Sequence, residues 1–307
     1  MADFIESVTS STVVDIFKVE SMSKWSTRIT ARYASQSTAA VTVSRSLETR
    51  SQSLRIRATL ASLLVVLLTI VSGVPASAET PGEVIARAVA NPQRSEADRQ
   101  RDARDKPAAV LSFIGVRPGM KVADVISGGG YYSELMSYVV GPTGKVIAHT
   151  VKIYDRWVAD ERKARFAEGR LPNLVPLSEE LPELQLGKES LDLILMVMVY
   201  HDIYYKSDFW TPPNRDDFFN RIRTALKPGG ILAIVDHAAL AGTGNTAAQS
   251  LHRIDEAFAK RDIERAGFKF QAESDVLRNP ADDHTILAYD PRIQGHTDRF
   301  VYRFVKR

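Results

Sequence analysis

Val122-Ala-Asp-Val-Ile-Ser-Gly-Gly-Gly-Tyr131 decides how the whole chain is read. Residues 121–126 form a short, mostly apolar run of strand length, closed by the turn Ser127-Gly-Gly-Gly130. A helical pattern over 131–140 follows, and Gly141-Pro142 stops it. Strand, glycine turn and helix in that order make the repeating unit of parallel α/β sheets. Glycines at such a turn let the backbone approach a ligand closely, and the N-terminus of the next helix favours polar or anionic groups.

The same alternation continues on both sides. Upstream, 107–114 reads as a helix ending at Gly115-Val-Arg-Pro-Gly119. Downstream, 145–148 is a second strand, 154–168 a charged surface helix, and 174–177 and 191–199 are further strands. The last of these is nearly all apolar, as a central strand buried on both faces should be. A helix over 216–226 ends at Lys227-Pro-Gly-Gly230 and leads into a fifth strand, 231–235. Asp255 stands as N-cap of a helix over 255–266, with Gly267 just past its end. Strands over 268–273 and 300–305 close the sheet.

Composition narrows the function. Of 307 residues, 44% are hydrophobic and 25% charged, the balance of a globular protein. The net charge of +3 resides in residues 1–78, which hold eight of the 40 Lys/Arg and five of the 37 Asp/Glu. The remainder therefore carries 32 of each sign and has no basic footprint for a nucleic acid. The absence of cysteine excludes disulfides, thiolate nucleophiles and Cys-ligated metal.

Leu54-Arg-Ile-Arg57, the apolar run 58–71, the breaker Ser72-Gly-Val-Pro75 and the small-residue site Ala76-Ser-Ala78 have the three parts of an export signal. The apolar run is short for a membrane span, which needs about 20 residues. The expectation is a signal peptide over 54–78, cleavage near Ala78, and a periplasmic or secreted domain over 79–307 with no stable membrane span. Residues 1–53, rich in Ser and Thr, are read as a mis-assigned start or a disordered extension.

Three stretches resemble the class I S-adenosylmethionine-dependent methyltransferases. They are the strand–turn–helix quoted first, Leu191-Asp-Leu-Ile-Leu195 as the fourth strand, and Ala225-Leu-Lys-Pro-Gly-Gly-Ile-Leu232 as the passage into the fifth. Their order and spacing agree across 79–307. More narrowly, Tyr200-His-Asp202, Asp236-His237, Leu251-His-Arg-Ile-Asp255 and Arg278-Asn-Pro-Ala-Asp-Asp-His284 resemble an uncharacterised, often exported subfamily of predicted methyltransferases. The resemblance implies a Rossmann-like, doubly wound α/β fold with a seven-stranded, mostly parallel sheet and one antiparallel edge strand. It implies S-adenosylmethionine as cofactor and a small-molecule methyl acceptor. Carried over residue by residue, it assigns the cofactor to Asp124, Ser127, Gly128, Gly129, Gly130, Tyr131 and His149. Two departures stand out. Ile126 occupies a position where the motif has glycine, and Ala148-His-Thr150 lacks the acid that binds the ribose hydroxyls. A missing buried hydrogen bond of that kind costs about 1–3 kcal/mol.

In the strand order of that fold the fourth and fifth strands are neighbours. Tyr200-His201-Asp202 and Asp236-His237 then share the carboxyl edge of the sheet, where ligands bind in open α/β folds, and later loops bring His252 and His284 past the same edge. The catalytic candidates are His201, His237, Asp202 and Tyr200. Either histidine can serve as base, because an imidazole titrates near working pH. Histidines with nearby carboxylates are also zinc-type donors, but no pair has the i,i+4 spacing of a helical metal motif, and no residue is assigned to a metal. A structural reading makes Asp202, Asp236 and Asp255 caps and the histidines satisfied polar residues. The aromatic run Tyr200, Tyr204, Tyr205, Phe209 and Trp210 is either a lid or loop packing. Export would part the domain from the cytosolic supply of S-adenosylmethionine. That keeps open an exported metal-dependent enzyme, or a binding protein on a methyltransferase-like fold.

Overall fold

The computed structural model describes residues 79–307 except Glu168. The expected extension 1–53 and signal peptide 54–78, with its cleavage near Ala78, lie outside the described residues. Helices α1 (Pro81–Val89), α2 (Glu96–Asp105) and α3 (Pro107–Ile114) lead to β1 (Lys121–Asp124), α4 (Tyr131–Val140) and β2 (Lys145–Thr150). Then come α5 (Asp155–Arg165), β3 (Leu174–Ser178), β4 (Leu191–Val197), α6 (Arg215–Ala225) and β5 (Leu226–His237). Helices α7 (Thr246–Leu251) and α8 (Glu256–Arg265) precede β6 (Phe268–Ser274) and β7 (Arg299–Lys306).

The seven strands make one sheet in the order β3-β2-β1-β4-β5-β7-β6. Strands β1 to β5 are parallel, and β7 runs antiparallel to both β5 and the outermost strand β6. Along β4 the side chains alternate between faces, Leu193 and Leu195 to one core and Ile194 and Met196 to the other, and all four are fully buried. One core packs β1 and β4 against α1, α3 and α4; the other packs them against α6 and α8. Among the described residues no helix is long and apolar enough to cross a membrane.

The helix signals hold where they rest on local chemistry. Asp255 caps α8 by accepting from the amides of Ala257 and Phe258, and Gly267 follows the helix at φ 93°. The Lys227-Pro-Gly-Gly230 passage is an excursion within β5, between Leu226, which pairs with Leu191, and Ile231, which pairs with Leu193. Helices α1, α2 and α7 have no counterpart among the sequence expectations. The ten residues of α2 carry no apolar stripe, and charge pairing, described below, holds it in place.

Candidate functional site

Strand order reverses between β1 and β4, and the connections leaving their carboxyl ends diverge there and open a crevice. From β1 the chain turns through Ile126 at φ 57°, Gly128 at φ 54° and Gly130 at φ 86° into α4. A β-branched residue in the left-handed region costs roughly 1–2 kcal/mol. Ile126 thus adopts by strain the backbone shape that glycine takes freely, which accounts for the departure at this position. Its amide donates to Nδ1 of His149 at 3.2 Å, and the Ser127 amide donates to the His149 carbonyl at 2.8 Å.

His149 is fully buried, and its Nε2 lies 2.9 Å from the Glu179 carbonyl. Because Nδ1 accepts, the proton resides on Nε2 and donates to that carbonyl. Burial holds the imidazole below its usual pKa. Both nitrogens serve the backbone, so the expected cofactor contact of His149 is corrected: the ring fastens the glycine turn to β2 and to the loop after β3.

Above the turn lies a cavity of about 320 Å³, lined by Asp124, Ser127, Gly128, Gly129 and Tyr131. These are five of the seven expected cofactor residues. Gly130 does not line it; it stands at the start of α4, where a Cβ would come within 2.4 Å of the Phe166 ring. Asp124 is buried at the floor and accepts from the Ser133 hydroxyl at 2.6 Å, and burial raises its carboxyl to about 6.

Helix α5 closes one flank. Arg162 donates to Ser127 Oγ and the Gly128 carbonyl, both at 3.0 Å, and Arg165 Nε donates to the Gly129 carbonyl at 2.7 Å. Arg165 is buried among Asp98 at 2.6 Å, Glu161 at 2.6 Å and Glu134. Helix α2 closes the other flank. Asp102 accepts from the Tyr131 hydroxyl at 2.6 Å and pairs with Arg94, while Asp105 pairs with Arg299 of β7 at 2.8 Å. This places Arg101, 4.0 Å over the Tyr131 ring, and Arg104 at the cavity wall. Tyr154, Glu161, Met198, Tyr289 and Gln294 also line it. Sequence reading singled out none of these seven; Arg101 and Arg104 fall in a charged stretch without periodicity, and the others arrive from separate loops and helices.

The histidines divide between two settings. Their rings lie side by side, His201 and His237 with centroids 5.8 Å apart, as neighbouring strands require. His237 lines the cavity. Its Nδ1 is 2.6 Å from Thr297 Oγ1, and its buried Nε2 has no hydrogen-bond partner among the described residues. Burial, with the nearby His201 and Arg299, keeps it well below the usual imidazole pKa.

His201 is fully buried and does not reach the cavity. Its Nδ1 lies 2.8 Å from Asp236 Oδ1, and its Nε2 lies 3.3 Å from both Asp202 Oδ1 and His252 Nδ1. Burial opposes its charged form, but the Asp236 and Asp202 carboxylates outweigh this and raise it to about 9. Asp202 accepts from the Tyr154 hydroxyl at 3.0 Å.

The other candidates take places outside the cavity. Tyr200 turns away from the cavity and donates to Asp262 at 2.8 Å, an anchoring contact for α8. His284 pairs with Asp298 at 3.0 Å and lines no part of the cavity. Of the two readings of the aromatic run, loop packing fits: Tyr204 bonds Asp262, Trp210 donates to the Asp202 carbonyl at 2.9 Å, and Phe209 is exposed beside Trp157. Tyr154 and Tyr289, outside that run, line the cavity.

Known proteins share this architecture. A SAM-dependent methyltransferase from Aquifex aeolicus superimposes with a TM-score of 0.50 at 20% identity, over 75% of this chain and 100% of that one. The fold is the Rossmann-like methyltransferase fold. In sequence, the chain is 25% identical over 126 residues to the ubiquinone/menaquinone biosynthesis C-methyltransferase of Ectopseudomonas mendocina, covering 41% of this chain and 45% of that protein. It is 28% identical over 130 residues to an uncharacterized methyltransferase of Synechocystis sp., covering 41% and 51%. The chain spans about half the length of the curated relatives it matches. No family model matches it.

Proposed function

We propose that the protein transfers a methyl group from S-adenosylmethionine to a small-molecule acceptor. One observation carries this reading: a single cavity joins the glycine turn to the unpaired Nε2-bearing ring of His237. When bound, S-adenosylmethionine supplies an electrophilic methyl group on a sulfonium.

The residues present fit that group. Gly128 is in the left-handed region, and no atom lies within 4 Å of where its Cβ would stand, so the backbone is bare toward the ligand space. Arg101 and Arg104 offer cations to a carboxylate, and Asp124 offers an anion to the ligand's positive end. Glu161, whose carboxylate fills the space a Gly129 side chain would need, is the acid beside the turn and takes the part of the absent ribose acid. The cavity volume is at the lower end of small-ligand sites, which run about 300–1,000 Å³.

His237 Nε2 receives the acceptor's proton, its ring oriented by Thr297. Tyr154 and Tyr289 give the site aromatic walls against which a ligand can be positioned. Calorimetric titration of the purified protein with S-adenosylmethionine tests the reading. Saturable one-to-one binding is expected, and no heat even at millimolar ligand would overturn it.

A further inference from the structure

Behind the Tyr154 wall lies a second group of donors with its own geometry. His201 Nε2, Asp202 Oδ1 and His252 Nδ1 form a triangle with edges of 3.3, 3.3 and 3.7 Å. Donor atoms bound to zinc at about 2.0–2.1 Å in a tetrahedron lie roughly 3.4 Å from one another. We propose that these three side chains bind one zinc-class divalent cation, with a water molecule as fourth ligand. This site is separate from the proposed methyl-transfer chemistry and does not depend on it.

The surroundings are those of a metal site. Asp236 Oδ1 takes the Nδ1 proton of His201 at 2.8 Å, the carboxylate–histidine relay that fixes the ring and directs Nε2 to a metal. Asp236 is itself held by the amides of His201 at 2.8 Å and His237 at 2.7 Å. The second oxygen of Asp202 is bound by the Tyr154 hydroxyl, which leaves Oδ1 as the donor. His252 adopts φ 49° at the end of α7, a strained position for a side chain other than glycine, and its ring is set between Tyr205 and Tyr289 at 4.2 and 5.1 Å. Two imidazoles and one carboxylate with an open position suit zinc better than calcium or magnesium, which prefer oxygen donors. His237 is not a ligand, because Thr297 holds its Nδ1 and its ring belongs to the cavity. Since Tyr154 both lines the cavity and bonds Asp202, the ion would stiffen the cavity wall.

The test uses the full chain, stripped with a chelator and titrated with zinc in the absence of S-adenosylmethionine. One equivalent is expected to bind, and cobalt(II) in its place should show the strong visible bands of four-coordinate metal. His252→Ala and Asp202→Asn should each lose binding at least 100-fold, Asp236→Asn should weaken it about 10–100-fold, and His284→Ala should bind as the parent does. Circular dichroism on each variant identifies any that fail to fold, in which case the cobalt spectrum of the parent decides. Absence of stoichiometric zinc in the parent, or full binding by folded His252→Ala, overturns the proposal. Either result leaves the cofactor titration unaffected, so the two proposals fail separately.

Discussion

Nδ1 of His237 and Oγ1 of Thr297 are 2.6 Å apart, a contact from the end of β5 to the residues before β7, and the other ring nitrogen has no hydrogen-bond partner among the described residues. The proposed base role makes this the most sensitive position. His237→Ala is expected to slow methyl transfer by about 10²–10⁴-fold while the Kd for S-adenosylmethionine stays near the parent value. Single-turnover kinetics beside calorimetry would separate these quantities. A variant that loses melting temperature but no turnover would assign the residue to structure alone.

His149 gives the opposite signature. Its removal strands the Ile126 amide and the Glu179 carbonyl and leaves a cavity at a fully buried site. His149→Ala is therefore expected to cost about 3–5 kcal/mol. For a domain of this size that lowers Tm by roughly 6–20 °C in a calorimetric scan. Were His149 a cofactor ligand, the change would weaken binding and leave Tm alone.

Two glycines of the turn should respond differently. A Cβ at Gly128 meets open space, so Gly128→Ala carries only the cost of a left-handed backbone, about 1 kcal/mol, while its methyl intrudes on the ligand. Folded protein with impaired cofactor binding is the expected result. At Gly130 the Cβ would meet Phe166, so Gly130→Val should damage both fold and binding. Circular dichroism and calorimetry on the pair check the contrast.

Asp124 predicts a pH dependence. Burial raises its carboxyl to about 6, and a cationic ligand over it favours the ionised form. Affinity for S-adenosylmethionine should then rise with pH up to about 6–7, and fall about tenfold per unit below that. In the ligand-free protein the stability trend is reversed. The folded state holds this proton more tightly than the unfolded chain, so Asp124 lowers stability as pH rises from 3.8 toward 6. Calorimetry from pH 5 to 8 is the measurement, and Asp124→Asn should flatten the profile.

Arg165 joins helix α5 to the turn through buried charge. Arg165→Met leaves Asp98 and Glu134 buried without their shared cation, which typically costs about 3–5 kcal/mol. Thermal melts should show the loss, and protease sensitivity should rise between α5 and β3. Unchanged melting would mean that the network contributes little.

Much of the architecture was legible because it rests on local chemistry. Residues 131–140 and 107–114 were delimited by glycine and proline, β4 by its unbroken apolar run, and α8 by Asp255 and Gly267. The meeting of His201 with His237 followed from the adjacency of β4 and β5, since residues just past neighbouring parallel strands share an edge.

What the sequence determined by itself was the order of the strands and of five helices, the glycine turn and the edge of the sheet that carries the polar residues. These depend on periodicity, capping and steric limits that act over a few residues. Tertiary structure alone decided the rest. Both His252 and His284 came to the expected edge, but tertiary structure alone drew His252 to His201 and His284 to Asp298. It buried His149 against backbone groups, tied Tyr200 to Asp262, and brought Tyr154 and Tyr289 to the cavity wall. It also seated α2, whose Asp98 and Asp105 find Arg165 and Arg299 in distant parts of the chain, while Asp102 pairs with Arg94 just before the helix. Such partners are set by where long loops cross and which charges meet when water is excluded, and no local pattern in the sequence encodes either.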